Sequence, residues 1–263
     1  MRIEAPARTT VAKDARATLT GRMRRRRRAM IGWACFFISI GAWAAHASAQ
    51  VDDACGPRSR LLGIDVSSYQ GSIDWKQVKD AGVVFAFARV SDGMEVVDDS
   101  FARNYKEMKR TGIRRGAYQY FRASADPEGQ ADLLLGTLRR LGRPDLPLVA
   151  DVETDDGMTP EEVRGRLARW IRRIQHRTRR RPIIYTSPSM SATVGTLFGA
   201  HHLWVAHYQV ECPKLPAGWD RWTFWQHSSA GRVAGIEGDV DLDFFAGDAV
   251  DLRRLNRPLH ASR

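Results

Sequence analysis

The chain has 263 residues with 41 Lys and Arg against 30 Asp and Glu, a formal net charge of +11, and three cysteines. Ten of those basic residues and only two acids, Glu4 and Asp14, fall in residues 1–50, so about +3 is left for the remainder and no basic surface for nucleic acid is implied there. The absence of any CxxC pair excludes a zinc-ribbon type of site, and the absence of GxGxxG and GxxxxGK[ST] argues against nucleotide binding.

Residues 1–49 have the three parts of an export signal. A basic run, RMRRRRRAM, precedes an apolar stretch over residues 31–45, and ASAQ offers small residues for cleavage after Ala49. The apolar stretch is shorter than the roughly 20 residues of a membrane span, so cleavage is favoured over a retained anchor. Met23 is an alternative start, and the arginine run also admits the twin-arginine route, which the following residues fit less well. The expected product is periplasmic or extracellular, with no nucleic-acid partner and no membrane association beyond the signal.

The expected domains are a short extension over residues 50–60, one α/β domain over residues 61–255 and a tail over residues 256–263. Roughly 210 residues suit one core, no repeat is evident, and a monomer is expected. Cys35 leaves with the leader. Cys55 and Cys212 allow one disulfide in an exported protein, two free thiols being the alternative.

Short apolar runs then alternate with helical patterns, the signature of βα units. LLGIDVSS (residues 61–68) reads as the first strand. SIDWKQVKDAG reads as a helix capped by Asp74, stapled by Ile73 and Val78 and stopped at Gly82. Residues 83–93 form the second strand and FARNYKEMKRTG an amphipathic helix ending at Gly112. RRGAYQYFR is the third strand, and DPEGQADLLLGTLRRLG the third helix with Pro127 in its first turn. LPLVADVETDDG (residues 146–157) is the fourth strand. The next helix opens with a Thr159/Glu162 capping box and buries Val163, Leu167, Trp170, Ile171 and Ile174. Its arginine-rich face reads as a solvated outer surface, with grip on anionic wall polymers as the second reading.

PIIYTSPSM is the fifth strand, after which HLWVAHY, WTFWQHS and DVDLDFF read as strands joined by loops. This order predicts a modified TIM-like α/β barrel of eight strands with helices on the first five connections. An open doubly wound sheet is the alternative.

In such a barrel the chemistry sits at the carboxyl ends of the strands. Asp65, Asp151, Glu153 and Asp241 are expected there. Asp151 and Glu153 are spaced i, i+2, which on extended backbone puts both carboxyls on one side. Clustered carboxyls in a partly dry cleft push one another's pKa values apart, which suits glycoside cleavage by an acid and a supporting carboxylate. Divalent-metal binding needs clustered acids too. Tyr69, Tyr118, Tyr120, Tyr185, Trp204, Tyr208, Trp222 and Trp225 lie at or beside strand ends, where flat rings suit sugar faces, although each taken singly is a core candidate. His207 and Gln226 join Tyr69, Tyr118, Tyr120, Tyr185, Trp204 and Tyr208 as candidates to line a glycan groove. His201, His202 and His207 lack the carboxylate spacing of a metal site, and DVDLD lacks the glycine and final acid of a calcium loop, so no metal and no cofactor are expected.

The motifs GIDVSSYQGSIDW, GAYQYF, ADVE, WVAHY and WTFWQHSSAGRVAGIEGDVDLDFF, in this order, resemble the family 25 glycoside hydrolases, the cell-wall lysozymes. The resemblance implies cleavage of the β-1,4 bond between N-acetylmuramic acid and N-acetylglucosamine in peptidoglycan glycan strands. It assigns Glu153 as general acid with Asp151 assisting, and matches Asp65 and Asp241 to the other acidic positions. Three departures stand out: Gln119 where His is common, Asp92 in RVSDG, and Asp243 where Asn is usual. All three are expected around the sugar groove. A wall-binding protein without turnover and a chitin-type hydrolase are the alternative functions.

Overall fold

The structure is a computed structural model and describes residues 55–57 and 59–258. The export signal, its cleavage site, most of the extension and the last five residues of the tail lie outside the described residues.

The elements in chain order are β1 (Arg60–Val66), α1 (Trp75–Asp80), β2 (Phe85–Asp92), β3 (Val96–Val97), α2 (Phe101–Thr111), β4 (Arg114–Tyr120), α3 (Pro127–Leu141), β5 (Val149–Asp151), α4 (Pro160–Thr178), β6 (Ile183–Thr186), α5 (Ser191–Val194), β7 (His202–Ala206), β8 (Phe224–Gly231), β9 (Val240–Ala246) and α6 (Ala249–Arg254). Strands β1, β2, β4, β5, β6, β7 and β8 pair in parallel in that order. Strand β9 closes the ring, antiparallel to both β8 and β1. The barrel therefore has eight strands with helices on its first five connections, as the segment order implies, while β3 is an added hairpin partner of β2 that the sequence pattern did not reveal.

Two expectations need correction. The last strand does not run with the others, so Asp241, near its beginning, still reaches the mouth where the parallel strands end. The segment read as a long fourth strand contributes only Val149–Asp151, and Glu153 lies just beyond it.

Local signals account for the helix ends. Asp74 accepts from the N–H groups of Lys76 and Gln77. Gly112 takes the left-handed conformation that ends α2, at φ 77°. Thr159 and Glu162 complete a reciprocal capping box on α4. The arginine face of α4 is partly stitched to α3: Arg173 grips Asp132 through two bonds of 2.8 and 2.7 Å, and Arg169 reaches Glu128 at 2.7 Å. Being exposed, these pairs contribute little each, about 0–1 kcal/mol.

The larger core lies between the barrel wall and the helices and includes Trp75, Phe101, Tyr105, Leu134 and Trp170. The barrel interior is filled by Phe85, Phe87, Tyr118, Ile183, Tyr185, Trp204, Phe224 and Phe245. Phe87 stacks on Trp204 with centroids 4.6 Å apart and meets Phe224 edge-on at 5.2 Å. Glycine makes room for these rings: a Cβ at Gly63 would overlap Phe85, and one at Gly116 would overlap Phe87. This aromatic plug is the floor on which the polar mouth rests.

A third cluster, Leu203, Val205, Trp222 and Trp225, covers the outer face of β7 and β8, where no helix lies among the described residues. Beside it Cys55 and Cys212 form a disulfide with Cα atoms 4.7 Å apart, tying the start of the domain to the loop before β8. The guanidinium of Arg60 lies 5.4 Å from the Trp222 ring and 5.5 Å from that of Trp225.

Gly116→Ala is expected to cost about 1–3 kcal/mol through overpacking against Phe87, read as a lower urea midpoint. An unchanged midpoint would mean that the interior rings can shift freely. Cys212→Ser, which opens a link spanning 157 residues of sequence, is expected to cost about 3 kcal/mol and lower Tm under oxidising conditions. Equal Tm values for both proteins would show the disulfide to be without effect.

Candidate active site

Along each barrel strand the inward positions change from apolar at the floor to polar at the mouth, because alternate residues share a face. On β2 the row is Phe85, Phe87, Arg89; on β8 it is Phe224, Gln226; on β9 it is Phe245, Asp243, Asp241. The polar ends converge on a cavity of about 220 Å³ whose lining includes Asp65, Tyr69, Arg89, Tyr118, Tyr120, Asp151, Glu153, Tyr185, Tyr208, Gln226 and Asp241. The four acids expected from strand ends are thus brought together.

Asp151 and Glu153 occupy one rim in different surroundings. Extended pairing continues past β5, since Val152 N–H donates to Tyr185 O at 2.9 Å, and this keeps both carboxyls on the cavity side. Asp151 is 5 % exposed, whereas Glu153 is exposed. Burial first, then the charge of Glu153 and a hydrogen bond with it, raise the Asp151 carboxyl well above the usual carboxylate range. Asp151 Oδ1 is buried and meets no N–H or O–H donor, so the neighbouring Glu153 carboxyl can serve it only through a shared proton.

Across the cavity Asp65 pairs with Asp241 in the β1–β9 ladder. Asp65 Oδ2 accepts from Gln226 Nε2 at 2.7 Å. Gln226 is oriented by two phenols, Tyr185 Oη donating to Oε1 at 2.8 Å and Tyr208 Oη to the same atom. Burial raises Asp65 well above its ordinary value, helped by the charges of Asp243 and Asp241, while the Gln226 bond opposes the rise. Burial and then the charge of Glu153 lift Asp241 to about 6. Tyr118 and Tyr185 are pushed up mainly by burial and so remain neutral donors.

One cation faces this cavity. Arg89 donates from Nε to Asp98 at 3.2 Å, and its charge lies 5.1 Å from the Tyr69 ring centroid. Asp98, itself buried, also accepts from Ser68 N–H at 2.9 Å and from Ser100. The β2–β3 hairpin thereby fixes the turn that carries Tyr69, which is 84 % exposed at the cavity edge.

Not every sequence candidate behaves alike. Tyr69, Tyr118, Tyr120, Tyr185, Tyr208 and Gln226 line the cavity; Trp204 touches it but is 1 % exposed and serves mainly as core. His207 lines an adjoining cleft of about 480 Å³ with Glu153, Tyr185 and Tyr208, its Nδ1 accepting Lys214 N–H at 2.9 Å. Trp222 and Trp225 face the outside of the barrel, not sugar. His201 and His202 sit at the opposite end, bonded to Pro182 O and to Thr223 Oγ1. Among the described residues no group of three or more His, Cys, Asp or Glu could hold a metal ion.

Of the three departures, Asp92 lies beside the groove as expected, whereas Gln119 and Asp243 are buried away from its surface. Gln119 is fully buried behind the barrel wall, accepting from Trp170 Nε1 at 2.8 Å and donating to Ser91. Asp92 binds Arg122, whose guanidinium covers the Tyr120 ring at the rim. Asp243 lies beneath the cleft against Trp204. Arg89 is a residue that sequence reasoning missed, and Asp243 was noted there only as a departure near the groove, not as a partner of the acids. Counting by twos from Phe85 and from Asp241 would have found both on the inward face.

The family described as Glycosyl hydrolases family 25 matches residues 64–236, a span that holds Asp65, Asp151 and Glu153. Lysozyme M1 of Streptomyces globisporus is 38 % identical over 210 residues, covering 75 % of this chain and 72 % of that protein. The bacterial lysozyme structure from Streptomyces coelicolor superposes with a TM-score of 0.70 at 36 % identity, covering 76 % of this chain and 98 % of that one. A family 25 glycosyl hydrolase structure from Bacillus anthracis gives 0.68 at 27 % identity, covering 75 % and 94 %. With the family match spanning Asp65, Asp151 and Glu153 and the barrel shared with these structures, the chain belongs to glycosyl hydrolase family 25 and is a glycoside hydrolase.

Proposed function

We propose that the protein is an exported muramidase that cuts the β-1,4 bond between N-acetylmuramic acid and N-acetylglucosamine in peptidoglycan. The observation that carries this reading is the pairing of an exposed Glu153 with a buried Asp151 on one rim of a cavity that also holds Asp65 and Asp241. Two of the relatives are lysozymes by name, from Streptomyces globisporus and Clostridium acetobutylicum.

Glu153 delivers a proton to the departing glycosidic oxygen, since it is the member of the pair that reaches solvent and substrate. Asp151 assists. Its raised pKa keeps one proton at the rim near neutral pH, and once that proton is on Glu153 the Asp151 carboxylate supports the positive charge developing at the anomeric carbon. In this reading the same carboxylate orients the substrate's acetamido group as nucleophile, so no separate protein nucleophile is required. Tyr69, Tyr120 and Tyr208 supply ring faces and hydroxyls for sugar contact.

Glu153→Gln is expected to lower the rate of peptidoglycan clearing by at least about 10³-fold with the fold retained, and Asp151→Asn by about 10²-fold, each read by turbidity loss beside circular dichroism. Near-normal clearing by a folded Glu153→Gln protein would remove the general-acid assignment. Mass analysis of the products should find N-acetylmuramic acid at the reducing end. N-acetylglucosamine there, or faster release from chitin, would move the bond or the substrate.

Asp241 gives a pH signature. Between an unfolded-state value of about 3.9 and a folded value of about 6, the native state keeps a proton that the unfolded chain has released. Its contribution to stability is therefore complete below about pH 4 and lost as pH rises to about 6. The stability of Asp241→Asn relative to wild type should rise across this window. Urea midpoints that keep a constant difference between pH 4 and 7 would contradict the raised value.

A further inference from the structure

The mechanism above leaves one buried carboxyl at the barrel mouth unused. Asp243 is 0 % exposed, sits below Asp241 on β9, and lies opposite Gly63 of β1 and Gln226 of β8 in the ladders. Its Oδ1 accepts Trp204 Nε1–H at 2.8 Å. Its Oδ2 is sealed from solvent and meets no N–H or O–H donor among the described residues. The group within hydrogen-bond reach is the Asp65 carboxyl.

The surrounding donors are fixed and already committed. Trp204 has a single donor, which is used on Oδ1. Gln226 is committed too, since Tyr185 and Tyr208 both donate to its Oε1 and its amide N–H donates to Asp65. Leaving Oδ2 bare beside a second carboxylate would combine an unpaired buried acceptor with like-charge repulsion in a dry site. A proton between the two carboxyls satisfies both requirements.

We propose that Asp65 and Asp243 hold a single proton between them, and that Asp243 is a positioning residue which sets the charge Asp65 presents to the cleft. The groups that face the pair are Asp241 on its own strand, Trp204 from β7, Gln226 from β8, Tyr118 from β4 and Asp151 from β5. Arg89 of β2, which lines the cavity, acts on Asp151 and Tyr118. Burial is the largest influence on both members, and it favours the protonated form. With one proton retained, the pair carries one negative charge where two bare carboxylates would carry two. Asp151, whose charge Asp65 senses, then shares the cleft with fewer like charges.

The catalytic half of this inference rests on the muramidase reading; the proton sharing does not. The experiment compares wild type with Asp243→Asn, whose amide still accepts from Trp204 and offers Nδ2–H to Asp65 but has no proton to lose. In wild type the unfolding constant relative to the variant should rise by up to tenfold per pH unit above about pH 4, then level off where the shared proton leaves. An infrared band of protonated, dry carboxyl should be present in wild type at pH 7 and reduced in Asp243→Asn by the share of this pair, the part that belongs to Asp151 remaining. Asp65→Asn should lose the same share of the band, which keeps the test decisive should Asp243→Asn not fold. In the wall-clearing assay the alkaline limb of Asp243→Asn should move to higher pH, because a full charge then sits on Asp65 near Asp151. Parallel stability curves, or a wild-type carboxyl band untouched by either substitution, would overturn the proposal. A wild-type protein that shows the band and the pH slope but does not cut peptidoglycan would uphold the proton pair and defeat the muramidase reading.

Discussion

Carboxyl groups crowded into the dry end of a barrel cannot all be ionised, and the chemistry of this site follows from that constraint. Asp65, Asp151 and Asp243 are nearly or fully buried, Asp241 is partly so, and Glu153 alone stands in solvent. Each buried member disfavours charge on its neighbours and on itself. Burial and neighbouring charge therefore raise the proton affinity of the buried members, and Glu153 is the most exposed acid of the group.

What holds these groups in so unfavourable a cluster is the architecture beneath and around them. Rings of Phe85, Phe87, Trp204, Phe224 and Phe245 fill the barrel and exclude water from below. Above them, donors are aimed by a second set of bonds: two phenols fix Gln226, Gln226 fixes Asp65, and the Trp204 indole fixes one oxygen of Asp243. The Arg89–Asp98 pair holds the Tyr69 turn at the edge. These bonds lie where water is scarce, so each partner is costly to lose.

Much of this was legible along the chain because local rules produce it. The caps at Asp74 and Thr159, the stop at Gly112 and the apolar periodicity of α4 follow from backbone hydrogen bonding and side-chain spacing within a few residues. The spacing of Asp151 and Glu153 put both on one side of an extended segment, and both do line the cavity. The short β3 hairpin was not legible, since two residues carry no period. The roles of Trp222 and Trp225 were not legible either, because only their packing on Leu203 and Val205 tells an outer-face ring from a sugar-facing one.

The sequence by itself determined the alternation of strands and helices, the family resemblance and the set of acids near strand ends, because these depend on periodicity and on residue type at fixed spacing. Only the tertiary structure decided that the last strand runs backwards between β1 and β8, which sets Asp241 opposite Asp65 and drops Asp243 beneath them. Burial decided the rest: Asp151 and Glu153 are both carboxyls on one segment, yet only packing from strands remote in sequence makes one dry and leaves the other wet. Proton affinity depends on that surrounding dielectric and on neighbouring charges, and neither is written in the order of residues along a single strand.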